Sequence, residues 1–223
     1  MIHKLLVLLL VSASWSSASP ATTQQQVPSA SPATTQPQTK STYEALLEKL
    51  KKNDQSVDFK ELRLAYTDAS AYSPYGGDPA LRKTMFKALE AKEYDKGLTN
   101  ATSILDSNYL DIMGHFGSFA AHRELGHADK AAYHQFVFEG LLNSIRNSGD
   151  GKTPETAFIV ISTDEEYALF SYLGLRPQGQ ALIKEKDHSY DRMTALDPKT
   201  NQSVVYFFNI DKPFNWLGKS LKP

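Results

Sequence analysis

Cysteine does not occur in this chain of 223 residues. Its absence excludes a disulfide-stapled secreted scaffold, a lipoprotein anchored through cysteine, a thiol nucleophile and a thiolate zinc site. A hydrophobic core must therefore hold the fold by itself, which is feasible at this length. The formal net charge is only −1, so the chain lacks the basic surface expected of a nucleic-acid-binding protein.

Long apolar runs are also scarce. The longest begins after Lys4 and covers residues 5–11, which is the length of a signal-peptide core and well short of the ~20 residues that cross a bilayer. The small residues Ser16 and Ala18 suit cleavage after position 18. We therefore expect a signal peptide over residues 1–18, with an uncleaved anchor as the alternative. The mature protein is expected to be periplasmic or secreted, with no transmembrane segment.

The segment that follows repeats itself. The octet SASPATTQ occurs at residues 17–24 and again at residues 29–36. A segment of Ser, Thr, Pro, Ala and Gln has too little apolar surface to offset its ordering entropy. Residues 19–40 are therefore expected to form a disordered linker.

Helical patterns dominate residues 41–148. Ser41 or Thr42 can cap the first helix, and Asp58 can cap the second. Asp78 followed by Pro79 starts a third, because proline is tolerated at the first helical position. Between the second and third helices, residues 72–78 (YSPYGGD) have the composition of a loop.

A 34-residue offset relates two parts of this region. Residues 94–97 (YDKG) match residues 128–131 (ADKA), and each follows a helix ending. Over residues 78–148 the chain resembles a degenerate tetratricopeptide repeat, in which a small residue such as Gly97 lets two helices cross closely. The usual early aromatic and closing proline are missing, so a generic pair of helical hairpins is the alternative.

The pattern changes after residue 148. Turn residues 147–151 precede a short apolar run, and Thr163 with Glu166 forms a capping-box pattern at the start of a helix. Residues 179–211 then predict two or three antiparallel strands, which Pro213 is expected to end. The order of elements predicts an α+β fold: tetratricopeptide-like helical hairpins over residues 41–148, then a small antiparallel sheet with one helix over residues 149–223.

Five phrases carry a further resemblance. They are YSPYGGD (72–78), NYLDIMGH (108–115), SGDGKTPETAF (148–158), HSYD (188–191) and YFFNID (206–211). With them the chain, over residues 42–217, resembles an uncharacterised family of exported bacterial proteins that is classed as a domain of unknown function. The resemblance implies a bacterial, periplasmic protein and implies no reaction.

Four of the six histidines lie in residues 114–134. His115 and His122 are seven residues apart on one predicted helix, about 10.5 Å along its axis. They cannot both bind one tetrahedral zinc, whose nitrogen ligands lie ~2 Å away, so we expect no metal site. His115 and His134 remain candidates for a ligand-binding groove between helices, against the alternative that they are hydrogen-bonded packing residues. His127 is expected to be a turn residue.

Two further groups are candidates for ligand binding. His188 and Tyr190 would share one face of a strand and, with Asp191, could bind an anion or act as acid and base. Tyr72 and Tyr75 give an aromatic character to the loop, which suits recognition. The alternatives are an exposed turn for the first group and tyrosines that plug the core edge for the second. Phosphate-loop, dinucleotide-binding and serine-hydrolase motifs are all missing.

These observations favour a non-enzymatic module that binds a protein or peptide of the cell envelope, without a cofactor. The warrant is the concave surface that helical repeats form. An envelope hydrolase that uses His188, Tyr190 and Asp191 with His115 or His134 is the alternative, and a purely structural accessory domain is the third possibility.

Overall fold

The computed structural model describes residues 40–221, so the predicted signal peptide and nearly all of the predicted linker lie outside the described residues. Six helices come first, and the longest connection between them is the loop over residues 67–78. They are α1 (Thr42–Lys51), α2 (Phe59–Tyr66), α3 (Pro79–Glu90), α4 (Tyr94–Ser107), α5 (Ile112–Glu124) and α6 (Ala128–Arg146).

Local capping explains where these helices begin. The Ser41 hydroxyl accepts a hydrogen bond from the Glu44 N–H, and the Glu44 carboxylate accepts one from the Ser41 N–H, which together make a capping box. Asp58 caps α2 and Asp78 caps α3, with Pro79 at the first helical position. The predicted starts of all three helices are confirmed.

Successive helices from α3 to α6 pack against one another. Helices α4 and α6 begin at Tyr94 and Ala128, the two positions that the 34-residue offset relates. At the α3–α4 crossing, a Cβ atom built on Gly97 would lie 2.7 Å from a methyl carbon of Leu89. A larger residue at Gly97 would therefore force the Leu89 side chain or the two helices to shift.

A four-stranded sheet and two more helices complete the fold. After a single 3₁₀ turn (Pro154–Thr156), the elements are β1 (Phe158–Ile159), α7 (Thr163–Leu173), β2 (Arg176–Glu185), β3 (His188–Asp197), β4 (Gln202–Asn209) and α8 (Asp211–Ser220). The strand order is β1-β4-β3-β2. Strands β2, β3 and β4 are antiparallel, as predicted, whereas β1 pairs in parallel with β4.

The structure therefore confirms an α+β fold, with two differences of detail. The short β1 makes the sheet mixed, and α8 follows β4 where the sequence predicted only an ending at Pro213. Proline is tolerated there because Pro213 lies in the first turn of α8, where no intrahelical N–H bond is needed. Within residues 40–221, none of the helices is both long and apolar enough to cross a membrane.

One core joins the helical part to the sheet. Leu50, Leu141 and Ile145 from the helices are fully buried in the same cluster as Leu169 and Phe208. A buried ion pair adds a specific link, since Arg63 on α2 donates to both carboxylate oxygens of Glu165, at 2.8 and 2.6 Å. This pair fixes the start of α7 against α2.

Candidate functional site

Two acidic side chains meet between α7 and the sheet. Asp191 on β3 is nearly fully buried and accepts a hydrogen bond of 2.6 Å from the Gln180 amide on β2. Glu166 on α7 is fully buried, and among the described residues neither of its carboxyl oxygens has a hydrogen-bond partner. A buried polar group without a partner is rare enough to need a functional or structural explanation.

The environment of Glu166 determines its protonation. Burial raises its pKa to about 9, and the neighbouring carboxyls of Asp191 and Glu165 act in the same direction. Burial also raises the pKa of Asp191, although its interactions with the Gln180 amide and with the Glu166 carboxyl oppose this shift. Glu166 therefore keeps its proton at neutral pH, as expected when two carboxyls share a site.

Helix periodicity places Glu166 on the buried face of α7. It lies three and four residues before Leu169 and Phe170, which are both fully buried. The capping box predicted for Thr163 and Glu166 is wrong, because the N-cap residue is Ser162 and it makes no side-chain capping bond. It is the side chain of Glu165 that turns back, where it accepts the Ile161 N–H at 2.8 Å.

Tyr75 lies near the two carboxyls and belongs to a group of packed aromatic side chains. Tyr72 is buried and its hydroxyl donates to the Ile161 carbonyl at 2.6 Å, whereas Tyr75 is 43% exposed. The ring of Trp216 on α8 lies 6.4 Å from that of Tyr72 and 6.1 Å from that of Tyr75. Burial raises the pKa of Tyr75, and the charges of Asp191 and Glu166 raise it further. The structure thus brings Tyr75 near Asp191, and Tyr72 contacts the same tryptophan ring as Tyr75.

Close packing holds the tyrosine loop in place. A Cβ atom on Gly77 would lie 2.0 Å from a carboxylate oxygen of Asp164, so any other residue at position 77 would displace the Asp164 side chain. Arg82 in turn binds Asp164 at 2.9 Å and Asp111 at 2.8 Å. These contacts anchor the loop to α3, α5 and α7.

The combination of groups suits a protonated amine. A carboxylate supplies the counter-charge, the faces of Tyr75 and Trp216 attract a cation, and the Gln180 amide orients Asp191. We use the name amine pocket for the cluster of side chains formed by Tyr75, Glu166, Gln180, Asp191 and Trp216, in which both carboxyls are buried and Tyr75 is exposed.

His188 and Tyr190 lie on the other face of the sheet from Asp191, because side chains alternate along β3. Both line a pocket of about 390 Å³ with Glu155, Lys186 and Asn209. The acidic partner of His188 is Asp211, whose carboxylate lies 2.5 Å from Nδ1. The structure therefore separates Asp191 from the pair with which the sequence grouped it.

The surroundings of Asp211 favour an ionised carboxylate beside His188. Partial burial raises its pKa, but hydrogen bonds from the Ser189 N–H, His188 and Asn209 outweigh burial and leave the pKa below its usual range. The ionised carboxylate fixes Nδ1 of His188 as the donor, and the other ring nitrogen remains for a ligand.

His115 and His134 contact each other between α5 and α6. The Nε2 atom of the fully buried His115 donates to the Tyr109 carbonyl at 2.8 Å, since a carbonyl can only accept. Its Nδ1 lies 2.9 Å from Nδ1 of His134, so in the neutral pair His134 donates. Burial, with the His134 charge, lowers the pKa of His115 to about 3, and burial lowers that of His134 to about 4.

The remaining histidines extend this contact. His122 stacks on His134 with ring centroids 5.6 Å apart, and its Nδ1 lies 3.1 Å from that of His127. His127 lies at the N-cap of α6. In the part of the chain that the structure describes, no group of three or more His, Cys, Asp or Glu residues is placed to hold a metal ion.

Four residues of these sites were not predicted as site residues from the sequence: Glu166, Gln180, Asp211 and Trp216. Glu166 had a usable signal, because an acid at helical spacing from Leu169 and Phe170 falls on an apolar face. No local pattern could have paired Asp211 with His188, 23 positions away.

Comparison with known proteins adds a family and no activity. A family model described as a domain of unknown function, DUF4919, matches residues 32–217. No curated protein matches the chain, and no solved structure does.

Proposed function

The chain belongs to the DUF4919 family of domains of unknown function, and on that premise we propose that it is a non-enzymatic module that binds peptide segments of cell-envelope proteins. The proposed ligand is a segment that carries a protonated amine, such as a lysine side chain. The observation behind this proposal is one cluster of side chains, in which Glu166 lies beside Asp191, the charges of both act on Tyr75, and the ring of Tyr75 lies 6.1 Å from that of Trp216.

The proposed setting is the bacterial cell envelope. A signal peptide over residues 1–18 would direct export, and the repeated linker over residues 19–40 would tether the folded part. A tetratricopeptide-like arrangement of α3 to α6 is part of the proposal. It is supported by the 34-residue offset between the starts of α4 and α6 and by the close approach of Gly97 to α3.

A titration with matched peptides tests this function. A blocked peptide with one central lysine should bind the purified protein at least tenfold more tightly than the same peptide with norleucine. Asp191→Asn should remove this preference, because it deletes the counter-charge and keeps the oxygen that accepts from Gln180. Asp187→Asn, the same change in the exposed turn before β3, is the control and should leave binding unchanged. Equal affinities for the two peptides would refute the proposal.

A hydrolase of envelope material is the second candidate, and one observation favours it. Asp211 and His188 form an oriented acid–histidine pair at the pocket that Tyr190 also lines. Such a pair can activate water as a general base. Hydrolysis of a nitrophenyl ester that falls at least a hundredfold in both His188→Ala and Asp211→Asn would support this candidate. Activity in both variants equal to that of the natural chain would dismiss it.

A further inference from the structure

Strand β2 forms one edge of the sheet. It is ten residues long and most of its side chains are exposed, including Leu182 at 54%. A long exposed edge offers unpaired N–H and C=O groups to another strand, and proteins usually blunt or cover such edges.

The register shows which backbone groups face outward. Glu185 pairs with His188 across a two-residue turn, and the closing pair of such a hairpin exchanges both of its hydrogen bonds. Every second residue from Glu185 therefore bonds to β3, and Gln180, Leu182 and Lys184 point their N–H and C=O groups away from β3. Within residues 40–221, no backbone group outside the strand ladders bonds to these three.

The free edge has a defined end. Pro177 has no N–H to offer, and the register shifts between Pro177 and Gly179. A bulge and a proline are devices that stop strand pairing. The part of β2 that can pair with another strand therefore contains the outward-facing residues Gln180, Leu182 and Lys184, and we call it the pairing window.

The same window adjoins the amine pocket. Leu182 pairs directly with Asp191, so the two side chains share one face of the sheet, and Gln180 belongs to the pocket itself. A residue opposite Leu182 on an added strand would be two strand spacings, ~10 Å, from Asp191. The flexible four-carbon stem of a lysine, extended towards the aspartate, covers such a span.

We propose that the edge of β2 receives an extended peptide as an additional antiparallel strand, with a lysine opposite Leu182 that places its ammonium in the amine pocket. This inference rests on the proposed function and specifies the shape of the ligand. Lys184 directs its ammonium to the ring of Phe214 at 5.1 Å, so a second basic residue opposite Lys184 would be disfavoured.

A second copy of this chain fits the edge less well. Two β2 strands that pair antiparallel about Leu182 would set Leu182 of one copy against Leu182 of the other. No cation would then face Asp191, and its carboxylate would remain without a counter-charge. The lysine-bearing peptide can form hydrogen bonds with the exposed backbone of β2 and can also place a cation beside Asp191.

Backbone methylation of the probe tests strand addition. The probe is Ac-Thr-Val-Thr-Lys-Thr-Val-Thr-amide, whose Val, Lys and Val would lie opposite Lys184, Leu182 and Gln180. N-methylation of both valines blocks hydrogen bonds to β2 and should weaken binding at least tenfold. N-methylation of the two threonines next to the lysine alters N–H groups that face away, and should change affinity less than about threefold. Equal affinity of both methylated peptides would overturn the inference.

A protein variant provides the reciprocal measurement. Leu182→Pro removes one outward N–H from an edge position where proline is tolerated, and should weaken the heptapeptide at least fivefold. Binding of N-acetyl-lysine amide, which needs only the pocket, should stay within twofold and report that the variant is folded. If the variant does not fold, binding of the methylated peptides to the unaltered protein still tests strand addition.

The outcomes separate the two proposals. If binding depends on the lysine and is lost in Asp191→Asn, but does not change when the valines are methylated, the amine pocket is supported and strand addition is refuted. Binding without any preference for lysine would refute both. Self-association that Leu182→Pro abolishes and the heptapeptide does not inhibit would identify the edge as a dimer interface and overturn the inference.

Discussion

Glu166 is the most unusual residue of the folded part. Its carboxyl group is fully buried beside Asp191, and its oxygens have no hydrogen-bond partner among residues 40–221. An unsatisfied buried polar group destabilises a fold by about 1–3 kcal/mol. A binding site is one reason to retain such a group, because an incoming ammonium would supply the missing partner.

The raised pKa of Glu166 makes stability depend on pH. The pKa is about 9 in the folded protein against an ordinary value of 4.5. Between these values the unfolded chain has released the proton while the folded protein retains it, so the free energy of unfolding falls as pH rises. Glu166→Gln should therefore match the natural chain at pH 4 and exceed its stability at pH 8 by roughly 3–5 kcal/mol, since each pH unit above 4.5 costs the natural chain about 1.4 kcal/mol, as measured by urea unfolding.

The control for this prediction is Glu90→Gln, which neutralises an exposed acid on α3 and should show no such pH dependence. Curves for Glu166→Gln and the natural chain that coincide at pH 8 would contradict a protonated, buried Glu166.

Residue roles were only partly predictable from the sequence. Tyr75 and Asp191 were candidates because aromatic loop residues and polar strand residues are informative on their own. The partner of His188 was not predictable, because it depends on where the chain turns after β4 and brings Asp211 to the start of β3. Glu166 was predicted to take part in a capping box. The adjacent acids Glu165 and Glu166 both lie in the first turn of the helix, and the sequence pattern does not distinguish between them.

For helices and strands, features that depend on neighbouring residues could be predicted from the sequence, whereas pairings between distant residues could not. Ser41, Asp58 and Asp78 act within three residues of themselves, so their caps could be predicted. The parallel pairing of β1 with β4 joins positions fifty residues apart, and no local pattern encodes such a pair. Helix α8 was missed because Pro213 indicates a break as readily as a first helical turn.

Close helix crossings give a prediction about two glycines. A Cβ atom on Gly140 of α6 would lie 2.2 Å from the ring of Phe59 on α2, whereas one on Gly218 of α8 would meet nothing within 4 Å. Gly140→Ala should therefore lower the unfolding free energy by about 1–3 kcal/mol through overpacking. Gly218→Ala should raise it by about 0.5–1 kcal/mol, because alanine restricts the unfolded chain.

Thermal or urea unfolding of both variants measures the contrast, and circular dichroism shows whether the helices persist. Equal changes of the same sign would mean that the α2–α6 crossing is looser than the short distance to Phe59 indicates.

For the whole molecule, the order of helices before strands was enough to predict an α+β fold. Stability is shared between the two parts, since one core and the Arg63–Glu165 ion pair join them. Removing one member of a buried ion pair costs about 3–5 kcal/mol, so a change at either residue should loosen helices and sheet together.

The proposed export can be tested on the entire chain. Small residues at Ser16 and Ala18 suit signal peptidase, which requires them three residues and one residue before the cut. Expression of the full chain in a bacterial host should place the protein in the envelope with Ser19 as its first residue, as mass spectrometry of the intact protein would show. Ala18→Phe should leave the precursor uncut, whereas Ala21→Phe, beyond the cut, should be processed normally. A cytoplasmic product that retains residues 1–18 would contradict export, and would leave the amine pocket to be explained by an intracellular ligand.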